Sequence, residues 1–333
     1  MNKRKLGSFG LCAMLFALCQ SAEAQQPKKA LYRIGVLWAG AASDGSTRRE
    51  ALWQGLRDLG YIEEKNIAFE YRYAEGKANR LPTLAAELVR LEVDVIVTTP
   101  IATRPAKEAT NTIPIVSPQL GDPVGSGLVA SLARPGGNIT GLSQFSPELA
   151  GKRLELLKEV VPKINRVAYL RHADSPEDAL KGLQAAAPAL GMQIQILAVR
   201  SPNDFDSVFE AVLRERVNAL IIANNPIINT HYKRIIDFAA KNRLPAIYPV
   251  SEFVDAGGLM FYGVNFLDLW HRAAIYVDKI LKGTKPADLP VQQPTKFEFI
   301  INLKAAKQIS LTIPPNVLVR ADKVIKESAG INR

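Results

Sequence analysis

The sequence predicts an α/β protein of two lobes, each built on a parallel sheet with helices on both faces. Short apolar runs alternate with stretches whose apolar residues recur every three or four positions, the pattern of βα units. The alternation restarts near residue 148, giving more such units than one compact sheet of ordinary size holds. Two segments look alike: Gly136-Gly137-Asn138-Ile139-Thr140-Gly141 and Gly257-Gly258-Leu259-Met260-Phe261-Tyr262-Gly263. Each sets a Gly-Gly turn before a short apolar strand and a further glycine. They read as crossovers between lobes, with a pair of ordinary βα turns as the open alternative.

Taken in order, a buried-type strand at 32–37 leads to a helix at 46–59, with Leu52, Leu56 and Leu59 on one face and Gly60 past its end. An alternating strand at 67–73 precedes a helix at 81–91, with Leu84, Leu88 and Leu91 in phase. A strand at 93–97 follows, then a helix at 100–110 with Thr99 as its cap and Pro100 at its first position, then a strand at 113–116. The stretch 121–143 is the organising one. Its loop, Gly121-Asp122-Pro123-Val124-Gly125, is expected to touch a ligand. A short apolar helix capped by Ser126, with Leu128, Val129 and Leu132 on one face, is expected next. Arg134-Pro135-Gly136-Gly137 stops it, and a strand at 138–142 is where the chain is expected to change lobes.

The second series runs helix 148–161, strand 166–170, and a helix opened by Ser175, Pro176, Glu177 and Asp178 and closed by Gly191. Strands at 193–199, 219–222 and 245–248 alternate with helices at 204–214 and 232–241. A helix from about 267 to 281 carries Leu269, Ala273, Tyr276 and Ile280 on one face, with Asn265 and Asp268 suited to its cap and first turn.

The first 24 residues read as a cleavable leader. Lys3, Arg4 and Lys5 form a positive start, 11–18 is an apolar core too short to span a bilayer, and Ala22-Glu23-Ala24 is an A-x-A site cut after Ala24. Both cysteines, Cys12 and Cys19, fall inside it, so a disulfide framework, a thiolate nucleophile and a Cys-ligated metal are excluded from the mature chain. Losing three basic residues and one acidic residue takes the net charge from +10 to +8. The basic residues are scattered, without the clustering of a nucleic-acid face, and read as a solubilising surface.

Ligands of parallel α/β sheets sit at the carboxyl ends of strands, against helix N-termini. That rule selects 38–44, 98–103 and 117–124 in the first lobe, and 171–175, 224–226 and 249–253 in the second. Their contents suit a small polar or zwitterionic solute. Thr98, Thr99 and the amides opening the Pro100 helix suit a carboxylate. Asp122, Asp174 or Glu252 suits an amine. Trp38, Tyr248 and Tyr262 suit a ring or an aliphatic chain. Plainer roles stay open: Thr99 as a helix cap, Asp122 as a turn residue, Trp38 as core, and Arg171 as a solvated base at a strand end. His172, His231 and His271 fall in three separate contexts. There is no HxxxH pair, no G-x-S-x-G elbow, no phosphate loop and no G-x-G-x-x-G run. Neither catalysis, nor a cofactor, nor a metal is expected.

Four stretches together carry a family resemblance. They are Gly121-Asp122-Pro123-Val124-Gly125 with Leu132-Ala133-Arg134-Pro135-Gly136-Gly137-Asn138; Phe253-Val254-Asp255-Ala256-Gly257-Gly258-Leu259-Met260; Ile280-Leu281-Lys282-Gly283 with Lys285-Pro286-Ala287-Asp288-Leu289-Pro290; and Ile301-Asn302-Leu303-Lys304-Ala305-Ala306-Lys307 running on to Arg320-Ala321-Asp322. The chain resembles the ABC-transporter substrate-binding protein family that includes the tryptophan- and tyrosine-type periplasmic binding proteins. The resemblance covers essentially the mature chain. It implies a type I periplasmic-binding-protein fold, with two doubly wound parallel-sheet lobes joined by three crossovers, the third near 293–302. The implied first lobe is 31–139 plus 264–293, the second 140–263 plus 294–325, with a polar tail at 326–333. The implied protein is periplasmic, non-catalytic and monomeric. It captures a small solute, an aromatic or other amino acid, and delivers it to a membrane ABC permease by hinge closure. The residues expected at the ligand are Trp38, Thr98, Thr99, Asp122, Asp174, Asn224, Tyr248 and Tyr262. The alternative is a solute-sensing module that docks on a receptor instead of a permease.

Overall fold

The apolar runs form strands and the periodic stretches form helices, in a computed structural model that describes residues 31–43, 45–144, 148–175 and 177–326. The first unit is β1 (Tyr32–Trp38), α1 (Ser46–Asp58) and β2 (Ile67–Tyr73). β1 is buried over its last five residues, as a strand covered on both faces must be. Next come α2 (Leu81–Arg90), β3 (Val95–Thr98), α3 (Thr103–Ala109), β4 (Ile115–Leu120) and β5 (Ile139–Ser143). These strands form one parallel five-stranded sheet in the order β2-β1-β3-β4-β5.

The second series is α4 (Glu148–Val160), β6 (Arg166–His172), α5 (Asp178–Ala186), β7 (Gln193–Val199), α6 (Phe205–Arg214) and β8 (Ala219–Ile222). It continues through α7 (Pro226–Thr230), α8 (Tyr232–Lys241), β9 (Ala246–Tyr248), α9 (Glu252–Asp255) and β10 (Met260–Val264). α10 (Phe266–Leu281) then returns to the first lobe. β11 (Phe297–Asn302), α11 (Leu303–Gln308), α12 (Pro315–Leu318) and β12 (Lys323–Ile325) finish the second. The seven-stranded order is β12-β11-β10-β9-β8-β6-β7. Only the β10–β11 pair is antiparallel there. β11 enters from the first lobe, so no same-sheet crossover forces it to run parallel to β10.

Each face of the five-stranded sheet has its own core. Leu52, Leu56, Trp270, Ala273 and Val277 fill the side under α1 and α10. Leu84, Leu88, Ala102 and Ala106 fill the side under α2 and α3. The second lobe has one larger core, running from Leu154 to Val317. Each such Leu, Ile or Val contributes about 1.5–3 kcal/mol by leaving water.

The chain passes between the sheets after β5, between β10 and α10, and between Gln292 and β11. The first passage was expected at 139/140. However, β5 pairs with β4 from Ile139 to Ser143, so these residues stand in the first sheet and the chain leaves it only afterwards. Gly141 makes that pairing possible. Its φ is 141°, and a Cβ there would lie 2.1 Å from the Ser117 carbonyl oxygen. Leu142 also bridges to Gln292: the Ser143 amide donates to the Gln292 carbonyl at 2.8 Å, and the Gln292 amide donates to Gly141 at 3.1 Å.

Two local expectations change. The segment after Pro123 is a run of turns, not a helix: the Leu128 and Val129 amides both donate to the Pro123 carbonyl, and Gly127 has φ 67°. Thr99 makes no side-chain cap, because its hydroxyl is taken by the Ala39 amide on the neighbouring strand end, at 3.2 Å. The expected leader lies outside the described residues, as does the expected tail beyond Lys326.

Candidate functional site

Both sheets reverse their strand order once, between β1 and β3 in the first and between β6 and β8 in the second. A crevice opens at the carboxyl ends of such strands. The residues there are Trp38, Thr98 and Thr99 in the first lobe, and Arg171, His172 and Asn224 in the second. The rims also touch: Arg48 at the start of α1 donates to Glu252 at the start of α9, 2.7 Å away.

In the first lobe the wall is a hydroxyl network backed by aromatic rings. The Thr98 and Thr103 hydroxyls lie 2.9 Å apart, and Thr103 reaches the Ser117 hydroxyl at 3.3 Å and the Thr99 carbonyl at 3.2 Å. Trp38 is only 4% exposed; its ring lies 5.2 Å from that of Trp270 and under the Arg49 guanidinium. The Trp270 indole N–H donates to the Gln119 side-chain oxygen at 2.9 Å. Asp122 has a turn residue's geometry: one carboxylate oxygen accepts from the amides of Val124 and Gly125, at 3.2 and 2.9 Å. The Asp122 carbonyl accepts from the Ser126 hydroxyl at 2.6 Å.

In the second lobe Asp174 is exposed beside His172, whose ring nitrogen accepts from the Asp174 amide. Asn224 is exposed, and its side-chain oxygen accepts from Asn229 at 2.8 Å. Tyr248 sits in the core, stacked on Phe253 at 4.9 Å, and burial pushes its phenol pKa up. Its ring is therefore packing for the sheet and not a surface of the cleft. Tyr262 lies half-buried against Phe297 and Phe299, where β10 turns toward the first lobe. Thus Trp38, Thr98 and Thr99 gather at one switch point. Asn224 and Asp174 stand at the other, Tyr262 at a passage, and Tyr248 behind the wall.

Some residues escaped the sequence reading. Arg171 is 5% exposed, not solvated; it pairs with Glu177 at 2.8 Å and donates to the Ser175 carbonyl. Arg153 on α4 donates from Nε to the Tyr262 carbonyl at 2.7 Å. Ser117 and Gln119 were visible as polar residues inside an otherwise apolar strand. A concavity of about 410 Å³ lies elsewhere, lined by Ile164, Asn218 and Pro245 at the amino ends of second-lobe strands. Among the described residues no cluster of His, Cys, Asp and Glu is arranged to hold a metal ion, and no helix is long and apolar enough to cross a membrane.

Two doubly wound lobes with polar loops at both switch points define a binding protein with the type I periplasmic-binding-protein fold. The chain matches the family described as ABC transporter substrate binding protein over residues 43–325, and it belongs to that family, whose members bind solutes and are not enzymes. It is 25% identical over 282 residues to a tyrosine-binding protein of Clostridioides difficile (strain R20291), covering 83% of this chain and 81% of that one. It is also similar to the solved structure of an ABC domain in complex with L-Trp from Streptococcus pneumonia, with TM-score 0.76 and 27% identity over 88% of this chain and all of that one. A conserved domain protein from Vibrio cholerae matches with TM-score 0.79 and 28% identity, over 89% of this chain and all of that one.

Proposed function

We propose that the protein captures a small amino-acid solute between its lobes and delivers it to a membrane ABC permease after hinge closure. The observation that carries this reading is the pair of switch points, each lined by polar loops, on lobes whose rims are tied by Arg48 and Glu252. A two-lobed protein of this kind closes when the solute binds the closed form more tightly than the open one. Thr99, Asp122 and the edge of Trp38 form the proposed first-lobe wall. Asp174, Asn224 and Tyr262 form the second, with Thr98 and Tyr248 supporting from behind. The tyrosine-binding and L-Trp-bound relatives favour an aromatic amino acid.

The test is a thermal-shift screen of the mature protein against amino acids, aromatic acids, purines and sugars. A ligand at about 100 times its dissociation constant adds ~2.7 kcal/mol of stability, which raises the melting temperature visibly. An aromatic amino acid is expected to give that rise and sugars none; silence from every amino acid sinks the reading. The protein is further proposed to work as a monomer in the periplasm after cleavage following Ala24. Light scattering and N-terminal sequencing of the exported protein check these points.

A further inference from the structure

The second lobe holds a positive charge that no carboxylate among the described residues pairs with. Arg153, on the second turn of α4, spends its Nε on the Tyr262 carbonyl. Its two terminal nitrogens make no hydrogen bond or ion pair among the described residues, and the groups acting on it electrostatically are the phenols of Tyr169 and Tyr262. Burial holds its pKa down at about 10. Arg153 is half-buried by accessible area, so its unpartnered terminal nitrogens are not sealed inside the fold but stand open to a ligand. The fold makes room for the guanidinium: a Cβ on Gly263 would come 3.1 Å from an Arg153 terminal nitrogen. Close by, the Tyr169 phenol feels both Arg153 and Arg171, and the Arg171 Nε and Ser175 hydroxyl are buried without partners among the described residues.

The first-lobe strand ends offer weaker, neutral donors for the same task. The Thr98 hydroxyl is engaged by Thr103, and the Thr99 hydroxyl accepts from the Ala39 amide, which leaves it a single proton to donate. We propose that Arg153 is the receptor for a carboxylate on the solute, bound from the second lobe through its two unpartnered terminal nitrogens. A planar guanidinium fork is suited to a two-oxygen acid. This inference rests on the solute-binding reading and narrows it to acid-bearing solutes.

Matched probes test it by calorimetry: L-tryptophan against tryptamine, L-tyrosine against tyramine, and indole-3-acetate against indole-3-ethanol. The wild-type protein is expected to bind the acid of a pair at least ~10-fold more tightly than its acid-less partner, the scale of a hydrogen bond to a charged group. Arg153→Gln keeps an N–H for the Tyr262 carbonyl but removes the charge. It is expected to lose about 10- to 100-fold for the acid and nothing for the partner. Equal binding of acid and acid-less probes, or wild-type affinity in Arg153→Gln, overturns the proposal while leaving solute binding intact. The ligand-free melting temperature of Arg153→Gln is the second arm. It is expected within a degree or two of the wild-type value, and a fall of several degrees makes the guanidinium a structural strut and overturns the proposal. If no probe, acid or acid-less, binds the wild-type protein, the solute reading fails and takes this proposal with it.

Discussion

Replacing Trp270 with phenylalanine tests whether the helix returning from the second lobe holds up the first lobe's wall. Trp270 is fully buried, donates to Gln119 at 2.9 Å and packs against Trp38. Phenylalanine keeps a ring but removes the donor, stranding an acceptor on Gln119, which is 3% exposed. A stranded buried acceptor costs about 1–3 kcal/mol, and the space left by the smaller ring adds roughly 1 kcal/mol. The expected loss is therefore about 2–4 kcal/mol, read as a lower urea midpoint at unchanged slope. Removing the acceptor as well, in Trp270→Phe with Gln119→Leu, is expected to restore about 1–3 kcal/mol, so the two changes are strongly non-additive. A single variant within ~0.5 kcal/mol of wild type, or strict additivity in the double-mutant cycle, refutes the reasoning.

The remaining predictions concern the hinge, the rims and the surface. Gly141→Ala forces a Cβ to 2.1 Å from the Ser117 carbonyl at a φ of 141°, and is expected to cost at least about 2 kcal/mol in a thermal melt. Breaking the half-exposed Arg48–Glu252 pair by Arg48→Ala removes at most about 1 kcal/mol. Solute dissociation is then expected to speed up less than about sixfold, with a weaker salt dependence in stopped-flow measurements. The Asp58 carboxyl is held below its ordinary value of 3.8, first by its hydrogen bond from His271 and then by one from Gln54. A depressed carboxylate contributes stability that is present above 3.8 and is lost as pH falls through the folded value. Carboxyl NMR is expected to show Asp58 titrating below 3.8 and His271→Gln moving it back up.

The βα alternation made the two lobes legible, and the strand-end rule picks out Trp38, Thr98 and Thr99, which lie at the ends of the paired strands β1 and β3. What stayed illegible depends on neighbours distant in sequence. A short apolar strand with a glycine looks the same whether it leaves a sheet or joins it, and only the close approach to Ser117 decides for β5. Thr99 before proline reads as a cap because local spacing says nothing of the Ala39 amide arriving from β1. Arg171 reads as solvated because the strand end is visible in the sequence while its enclosure by Glu177 and the Ser175 carbonyl is not. Tyr248 reads as a ligand ring by position, although alternation along so short a strand leaves its facing undetermined. That the terminal nitrogens of Arg153 find no partner among the described residues depends on neighbours distant in sequence, which no local pattern encodes.

The passage of α10 back into the first lobe bears on how the molecule assembles. Trp270 and Gln119 are 151 positions apart, with nearly the whole second lobe between them. The first five strands therefore cannot close their core until a helix from the last quarter of the chain arrives, and the second sheet in turn waits for β11 and β12. Neither lobe can be completed as an N-terminal unit during synthesis, so contacts of high sequence separation must form together and late.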